Sequence, residues 1–313
     1  MDYCYNVTKT DLFYQNLNIP SVIYLKYQHK ILSVKNVYSE KDPISIGMFD
    51  CNDKKFTPDV DLKCVDYADL QTVSCYIIYF TYIILIDVEN KEYTRSSPFK
   101  YFMEYTDGNY VKSCRIENKI YIFHSVCEYY ETGLFIFDIS TNKFNDDDFE
   151  FTTRNVPDGE SDNETESIFI NRFKNLHGTD ISSCCTDNGV LYIVRDNKLH
   201  SYDPITDEIS EVLMSNIDSI RVKDNMLFGR RWSSPHGGIL CIKKMGLEKT
   251  SIIKFKICEE DELVRFWNIY DDNLVCICAK YDLYKLFGPG NCDQDTEIFR
   301  IKRLCIDNIL SSI

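Results

Sequence analysis

Short apolar runs alternate with polar turn residues along most of the chain, and one such pattern recurs with drift. In each copy an apolar run ends in Asp, and an aromatic or aliphatic residue follows six positions later. The copies are about 40 to 65 residues apart, a period typical of stacked supersecondary units. Each predicts a strand, an Asp-led turn and a second strand. The four copies are IGMFDCNDKKF led by Asp50, ILIDVENKEY led by Asp87, FIFDISTNKF led by Asp138 and HSYDPITDEI led by Asp203.

A second pattern, an acidic residue followed by Asn between two apolar runs, is interleaved with the first. Asn tolerates positive φ, so these pairs suit tight hairpin turns. Together the two patterns predict six four-stranded antiparallel meanders. The acidic–Asn pairs are Glu117-Asn118, Asp187-Asn188, Asp224-Asn225 and Asp272-Asn273, with looser copies around Gln28-His29 and Leu70-Gln71.

The last two units depart from the pattern. Unit five lacks the Asp, and we expect its third and fourth strands at Ile239–Ile242 and Ile252–Ile257. Unit six has its third strand predicted at Glu297–Ile301. The N-terminal segment Tyr3–Thr8 or Leu12–Leu17 is expected to complete the last unit beside the C-terminal strands.

Six units in 313 residues average about 52 residues each, the size of a propeller blade. The predicted fold class is therefore all-β: a six-bladed β-propeller of four-stranded antiparallel blades, closed by the termini, in a single domain spanning residues 1–313. The blades are expected at roughly 20–60, 61–100, 101–150, 180–215, 216–260 and 261–313 plus the N-terminal strand.

The segment LHSYDPITDEISEV resembles the turn between the third and fourth strands of a kelch repeat. The run N-x-hydrophobic-Tyr upstream also resembles the second kelch strand. The Gly-Gly pair that usually ends that strand is replaced here, for example by His124-Ser125 and Arg195-Asp196. The matching positions are Asp203, Pro204, Thr206 and Ile209; Asp138, Thr141 and Phe144; Asn118, Ile120 and Tyr121; and Asn188, Leu191 and Tyr192.

The kelch resemblance implies a protein-interaction module, similar to the substrate-binding half of a kelch-type ubiquitin-ligase adaptor. No BTB or F-box segment is recognisable in the sequence. An enzyme or small-molecule binder, with residues from several blades around a central channel mouth, is the alternative. Such a site would leave no local motif, so both classes stay open at this stage.

Composition and charge restrict the classes of partner that the protein is expected to bind. The formal charge of −14 and the lack of a Lys/Arg stripe argue against nucleic acid, which is bound through basic surfaces. The longest apolar run, Val73–Val88, is interrupted by polar residues and is better split into two strands than read as a membrane helix, which needs about 20 apolar residues. The acidic stretch at residues 146–148 and 158–166 is interpreted as a solvated loop or as a segment that attracts a basic partner.

The N-terminus has no basic segment followed by an apolar core, so the sequence predicts a cytoplasmic protein, which we expect to be a monomer. Its fourteen cysteines would then be reduced, and no C-x-x-C spacing is present. The sequence predicts no metal site, no cofactor and no catalytic residue, since nucleophile, phosphate-loop and zinc-protease motifs are missing. The repeated Asp residues are interpreted as acceptors of backbone N–H groups in their own turns.

The candidate contact site is the segment GRRWSSPHGG, Gly229–Gly238, predicted as a loop between the second and third strands of unit five. Arg and Trp are enriched in interface hot spots, and this segment combines two Arg with one of only two Trp residues. The alternative is that Trp packs against a neighbouring blade while the arginines pair with local carboxylates. The predicted contact residues are Arg230, Arg231, Trp232 and His236, with Arg195, His124, Lys280 and Tyr281 at equivalent positions of other units.

Overall fold

Antiparallel β-sheets make up nearly all of the regular structure in the computed structural model. The described part of the chain contains one short α-helix, α1 (Ile306–Ser311), and two 3-10 turns, Tyr67–Asp69 and Lys174–Leu176. The predicted all-β class is therefore confirmed. The structure describes residues 3–8, 23–28, 30–37, 42–50, 53, 55–79, 82–97, 110–126, 131–145, 149–155, 165–171, 173–176, 181–233, 237–245, 253–256, 262–270, 272–280 and 298–311.

The chain divides into two compact units. The first contains residues Met1–Pro98 and Asn225–Ile313, and the second contains Phe99–Asp224. The N-terminal part of the first unit contributes two sheets and one strand, β1, which pairs with a strand from the C-terminal part of the chain. Its strands are β1 (Tyr3–Thr8); β2 (Ile23–Tyr27), β3 (Lys30–Lys35), β4 (Ser45–Asp50) and β5 (Lys55–Asp61) in the first sheet; and β6 (Lys63–Cys64), β7 (Cys75–Tyr79), β8 (Tyr82–Asp87) and β9 (Glu92–Arg95) in the second.

The second sheet differs from the predicted meander. The expected hairpin around Leu70-Gln71 is wrong, because the first hairpin is formed by β7 and β8, with Tyr79 opposite Tyr82. The apolar run Val73–Val88 thus contains two adjacent strands, as predicted. The fourth position is filled by the earlier strand β6, which runs parallel to β9.

The second unit contains two sheets that follow the four-stranded pattern and one hairpin that does not. The latter, β14–β15, was not predicted from the sequence. Residues 165–166 of the predicted acidic loop belong to β15, and its other residues, 146–148 and 158–164, lie outside the described residues. The strands are β10 (Tyr110–Ile116), β11 (Lys119–Val126), β12 (Glu131–Asp138) and β13 (Lys143–Phe144); β14 (Phe149–Asn155) and β15 (Thr165–Asn171); β16 (Ile181–Asp187), β17 (Val190–Arg195), β18 (Lys198–Asp203), β19 (Glu208–Ile209) and β20 (Met214–Ser215); and β21 (Ser219–Lys223).

Two further four-stranded sheets involve the C-terminal part of the chain, in the orders β21-β22-β23-β24 and β1-β27-β26-β25. Strand β1 pairs with β27 over six residue pairs, from Tyr3 opposite Arg303 to Thr8 opposite Ile298. The first of the two segments expected to complete the last unit does so, and Leu12–Leu17 lies outside the described residues. The strands are β22 (Met226–Ser233), β23 (Gly237–Lys244), β24 (Ile253–Lys256), β25 (Glu262–Tyr270), β26 (Asn273–Lys280) and β27 (Ile298–Cys305).

The tight turns form close to the predicted positions. Glu117 has a φ of 51°, and Asp224 and Asn225 have φ values of 49° and 61°. Positive φ at both central positions is the signature of type I′ hairpin turns, for which Asn and Asp are favoured, and Asp224-Asn225 has this conformation. At Glu117-Asn118 the positive φ lies at Glu117.

Two of the turns are displaced by one residue. In the sheet that contains β16 and β17, Asp187 pairs with Val190, and the turn residues are Asn188 and Gly189, with φ values of 49° and 78°. In the C-terminal sheet Asn273 is the first residue of β26 and pairs with Tyr270. The turn there comes one residue earlier than predicted.

Apolar side chains form a layer between neighbouring sheets of the same unit. In β3, β8 and β17 four or more consecutive residues are buried, in contrast to the alternating burial of a sheet with one solvated face. Both faces of these strands are therefore covered. The three core clusters include Leu32, Val34, Ile84 and Ile86; Phe123, Leu134, Leu191 and Ile193; and Phe228, Leu240, Trp267 and Leu274.

Candidate functional site

The four repeated aspartates occupy the same place in their sheets, at the last residue of β4, β8, β12 and β18. In each, carboxylate oxygen Oδ1 accepts a hydrogen bond from a backbone N–H two or three residues further along the chain. Such a bond holds the turn in shape, as in Asx turns. The donors are Asp53 to Asp50 at 3.1 Å, Asn90 to Asp87 at 3.0 Å, Ser140 to Asp138 at 2.8 Å and Ile205 to Asp203 at 2.8 Å.

Asp87 differs from the other three because its residue is fully buried, at 0% exposure. Its Oδ2 accepts hydrogen bonds from the Thr72 backbone N–H and hydroxyl and from the Asn90 side-chain amide. Burial alone would raise the pKa of this carboxyl, but the hydrogen bonds from Asn90 and Thr72 outweigh it and lower the pKa below 3.8. The carboxylate therefore anchors the end of β8 to the segment that precedes β7.

Asp138 and Asp203 are less enclosed. The Ser140 hydroxyl donates to Asp138 Oδ1 at 2.5 Å, and this bond is the main reason that the pKa of Asp138 is lowered; partial burial opposes it. Asp203 is exposed, and the bond from Ile205 is the contact that the structure gives its carboxylate. The three carboxylates thus differ in the stability that each can contribute.

The predicted contact segment Gly229–Gly238 is not a loop in the described residues. Arg230, Arg231 and Trp232 belong to strand β22 and pair with Leu240, Ile239 and Gly238 of β23. His236 lies outside the described residues. The correction has a simple cause: a strand can continue through Arg and Trp as readily as through aliphatic residues, since its pairing is made by the backbone.

Strand geometry separates the two arginines. Successive residues of a strand point to opposite faces, so Arg230 and Arg231 lie on opposite faces of β22. Arg231 is exposed. Arg230 is half-buried, and its Nη1 lies 3.5 Å from the carbonyl oxygen of Val264 in β25. A single flat partner surface therefore cannot contact both guanidinium groups from one face.

Strands β22 and β23 pair over eight residues, from Met226 opposite Lys244 to Ser233 opposite Gly237. The described residues of strand β24 pair with Ile239–Ile242.

The other predicted contact residues lie near the ends of second strands. His124 is in β11 opposite Gly133, and Arg195 is the last residue of β17. Arg195 donates from Nη1 to the carbonyl oxygen of Asn175 at 3.0 Å, and its Nε lies 3.6 Å from Asp196 Oδ2. Lys280 is the last residue of β26, and Tyr281 lies outside the described residues. That these residues share one surface stays a prediction.

A group of thiols in the second unit was not singled out from the sequence. Cys114 of β10 and Cys184 of β16 are buried and hydrogen-bonded to each other. Burial raises the pKa of Cys114 well above its usual range and that of Cys185 to about 12. Cys114 and Cys185 are therefore protonated at neutral pH and act as small apolar residues. None of the nine described cysteines forms a disulfide.

Two carboxylates meet where the β16–β17 and β21–β22 turns come together. Burial, and secondarily the charge of Asp224, raises the pKa of Asp187, while Lys223 opposes the shift. The pattern of acidic–Asn pairs could have indicated this proximity only if the packing of β16 on β21 had been known.

Among the described residues, no group of three or more His, Cys, Asp or Glu side chains is placed to hold a metal ion. In the same part of the chain, no helix is long and apolar enough to cross a membrane.

Comparisons with known proteins give distant structural likenesses. A Bacteroides vulgatus member of the DUF4221 family has 11% sequence identity and a TM-score of 0.45, over 97% of both chains. Kuenenia stuttgartiensis hydrazine synthase has 9% identity and a TM-score of 0.43, over 92% of this chain and 88% of that one. Both TM-scores are too low to support an argument about function. No protein-family model and no curated protein matches the sequence significantly.

Proposed function

We propose that the chain is a non-catalytic protein-interaction module, built as a six-bladed β-propeller that resembles kelch-repeat proteins. Six sheets of four or five strands follow one another along the sequence, with the two-stranded β14–β15 sheet between the third and the fourth, and four of the six contain four consecutive strands in sequence order, one of them with the added β20. The pairing of β1 with β27 supports closure, because it joins the first strand of the chain to the last sheet. A closed arrangement of this kind leaves no long open sheet edge.

Burial of both strand faces also supports the propeller. A sheet inside a propeller is covered by the sheet before it and the sheet after it, and this requires consecutive buried residues rather than alternation. Strand β8 is the clearest case, since Ile83, Leu85 and Ile86 are each at most 1% exposed. The neighbouring residue Ile84 is also completely buried.

The observation that carries the functional proposal is the β22–β23 hairpin. It places Arg230, Arg231 and Trp232 at successive positions of β22, next to the end of the hairpin. Arg binds carboxylate and phosphate groups through two parallel hydrogen bonds, and in a chain of net charge −14 such cations stand out as anion-binding groups. The partner is therefore an acidic or phosphorylated protein segment, with Trp232 as the apolar anchor.

The alternation of faces divides the surface into two parts. Arg230 belongs to one part, and Arg231 belongs to the other. Because Arg230 is half-buried and close to a backbone carbonyl, its replacement affects both binding and the packing of β22 on β25. Arg231 is exposed, and its replacement tests recognition alone.

The test begins with cross-linking and mass spectrometry in cell lysate to identify a partner, followed by affinity measurements by calorimetry. Changing Arg230, Arg231 and Trp232 together to Ala should weaken binding by about 2–4 kcal/mol if they form a hot spot. The single variant Arg231→Ala should weaken it without a change in melting temperature. The matched control replaces the exposed residues Lys55 and Lys63 by Ala, which removes two cations elsewhere and should leave affinity unchanged.

Two results would contradict the proposal. Unchanged affinity in the triple variant would place the contact surface elsewhere. Measurable turnover of a substrate would replace the interaction module by the alternative, an enzyme with a site at a channel mouth. Circular dichroism of each variant separates a loss of binding from a loss of fold.

A further inference from the structure

The turn between β18 and β19 carries the most exposed large apolar side chain among the described residues. Ile205 is 89% exposed there, and Val190, the first residue of β17, is 40% exposed. Leu191 lies opposite Tyr202 in the ladder of β17 with β18. The preceding residue, Val190, is therefore beside Asp203, at the end of the sheet where the turn containing Ile205 begins. Single exposed aliphatic residues are common, so only a further observation makes this end of the sheet a site.

Hydrogen bonds stabilise the turn that carries Ile205. Its backbone N–H donates to Asp203 Oδ1 at 2.8 Å, and the Tyr202 hydroxyl donates to Asp207 Oδ1 at 2.9 Å. The Asn175 backbone N–H donates to Asp207 Oδ2 at 3.0 Å. Ile205 is thus exposed on a turn that is already held in shape, and a preorganised surface loses less conformational entropy when it binds a partner.

In the other three Asp-led turns, lysine lies beside the acidic residues. Two of the turn aspartates have a lysine opposite them on each neighbouring strand. The third, Asp87, lies opposite Glu92, whose Oε1 is 3.5 Å from Lys63 Nζ. Each of these turns therefore has a cation that offsets its negative charge. The lysine-flanked aspartates are Asp50, between Lys30 and Lys55, and Asp138, between Lys119 and Lys143.

The β18–β19 turn lacks this compensation. Asp203 lies opposite Glu208 on one side and beside Val190 on the other. Both acidic residues are exposed, and no described Lys, Arg or His forms an ion pair with either of them. Like charges directly opposite each other destabilise a strand pair, so folding alone does not favour this arrangement. A cation from a partner would remove the repulsion.

The chemistry of these four side chains determines what can cover them. Ile205 and Val190 are buried best by an apolar side chain, and the adjacent carboxylates attract Lys or Arg next to it. The same carboxylates repel nucleic acid and anionic lipid, and a second copy of the chain brings a further net charge of −14. We propose that Val190, Asp203, Ile205 and Glu208 form a docking surface for a partner protein segment in which an aliphatic residue is flanked by Lys or Arg.

This docking surface does not rest on the function proposed above. It takes a basic and apolar segment, whereas β22 offers guanidinium groups to an acidic one. The two surfaces share no residue, so the variants that test one leave the other intact. Failure of either proposal therefore leaves the other standing.

The test uses the full chain and a decapeptide probe that has two leucines between two pairs of lysines, with Gly and Ser at its ends. Methyl NMR follows the signals of Ile205 and Val190, which should shift and saturate with a dissociation constant of about 1 mM or lower. A control peptide with Ala for Leu keeps the charge, and one with Glu for Lys keeps the apolar residues. Each control should bind at least about tenfold more weakly. No saturable shift with the probe, or equal binding of either control, would overturn the proposal.

The apolar contribution is tested by substitutions that preserve side-chain shape. The double variant Val190→Thr, Ile205→Thr keeps both β-branched side chains and should raise the dissociation constant of the probe at least about tenfold. The matched control is Val212→Thr, because Val212 is 45% exposed in the segment between β19 and β20. It should leave the dissociation constant unchanged. An equal effect of the control would overturn the assignment of the surface.

The charge contribution has its own pair of variants. Asp203→Asn with Glu208→Gln should raise the dissociation constant about fivefold or more, and Asn keeps an oxygen that can accept the Ile205 N–H. Asp196→Asn with Glu211→Gln removes two charges from exposed positions away from this turn and should have no effect. If both pairs weaken binding equally, net charge alone explains it and the site is overturned.

Sedimentation velocity of the chain alone tests the remaining occupant. We expect a monomer, because two copies repel each other. A dimer that dissociates in the variant Val190→Thr, Ile205→Thr would show that a second copy covers the surface, which would overturn the choice of partner.

Discussion

Thr72 donates two hydrogen bonds to one oxygen of Asp87, from its backbone N–H at 3.1 Å and from its hydroxyl at 2.7 Å. Asp87 is at the end of β8, and Thr72 lies in the segment that leads into β7. The contact therefore joins the end of β8 to the segment through which the chain enters β7. It also distinguishes Asp87 from the other turn aspartates, which are bonded within their own turns.

The first prediction concerns the stability that these carboxylates contribute. Asp87→Ala should lower the free energy of unfolding by about 1–3 kcal/mol, because it removes a buried acceptor that is hydrogen-bonded to Thr72 and Asn90. Asp138→Ala should have a smaller effect, and Asp203→Ala should stay within about 0.5 kcal/mol, since Asp203 is exposed. Urea unfolding measures all three. Equal losses at Asp87 and Asp203 would show that burial does not set the effect.

A second prediction follows from the lowered pKa values of Asp87 and Asp138. A carboxyl whose pKa is lower in the folded than in the unfolded state stabilises the fold above its unfolded pKa, near 3.8. That stabilisation is lost as the pH falls through 3.8 towards the folded value. Urea midpoints should therefore decrease below about pH 4.5, and less steeply in the double variant Asp87→Asn, Asp138→Asn. Parallel pH profiles would contradict the assignment.

Asp187 should behave in the opposite way. Its pKa is raised in the folded state, mainly by burial, so its negative charge opposes folding at neutral pH. Asp187→Asn should raise the melting temperature at pH 7. The gain should vanish as the pH falls below about 3.8, where the carboxyl is protonated in both states. Scanning calorimetry at pH 7 and pH 3.5 checks both parts, and a loss of stability at pH 7 would refute the prediction.

The fourth prediction tests the pairing of β1 with β27. Deleting residues 1–8 removes all six residue pairs and should lower the urea midpoint, with faster hydrogen exchange in β27. Deleting residues 1–2 removes none of these pairs and serves as the control. A protein without residues 1–8 that retains the original midpoint would show that the sheet is complete without β1.

Turn chemistry is the part of this fold that the sequence predicts best. Asp138 and Asp203 mark strand ends because a short carboxylate can accept an N–H from its own turn, a property that requires no knowledge of distant residues. The same local chemistry accounts for the positive φ of Asp224 and Asn225. Positions set by neighbouring residues are therefore recoverable from one sequence.

Features that depend on distant pairing are not recoverable in this way. The sequence between β7 and β8 contains none of the usual turn-forming residues, so the pairing of Tyr79 with Tyr82 has no local signal. Strand β6 is only two residues long, and it is recognisable as a strand only through its pairing with β9. Acidic flanking residues hid the β14–β15 hairpin, because its charge is typical of loops while its backbone pairing is typical of strands.

The pairing of β1 with β27 has a consequence for synthesis of the protein. Strand β27, Ile298–Cys305, is translated almost three hundred residues after its pairing partner β1. At about 5–20 residues per second, this separation corresponds to a wait of roughly 15–60 s. During that time β1 has no β27 to pair with, so β1 should require chaperone protection until β27 has been translated.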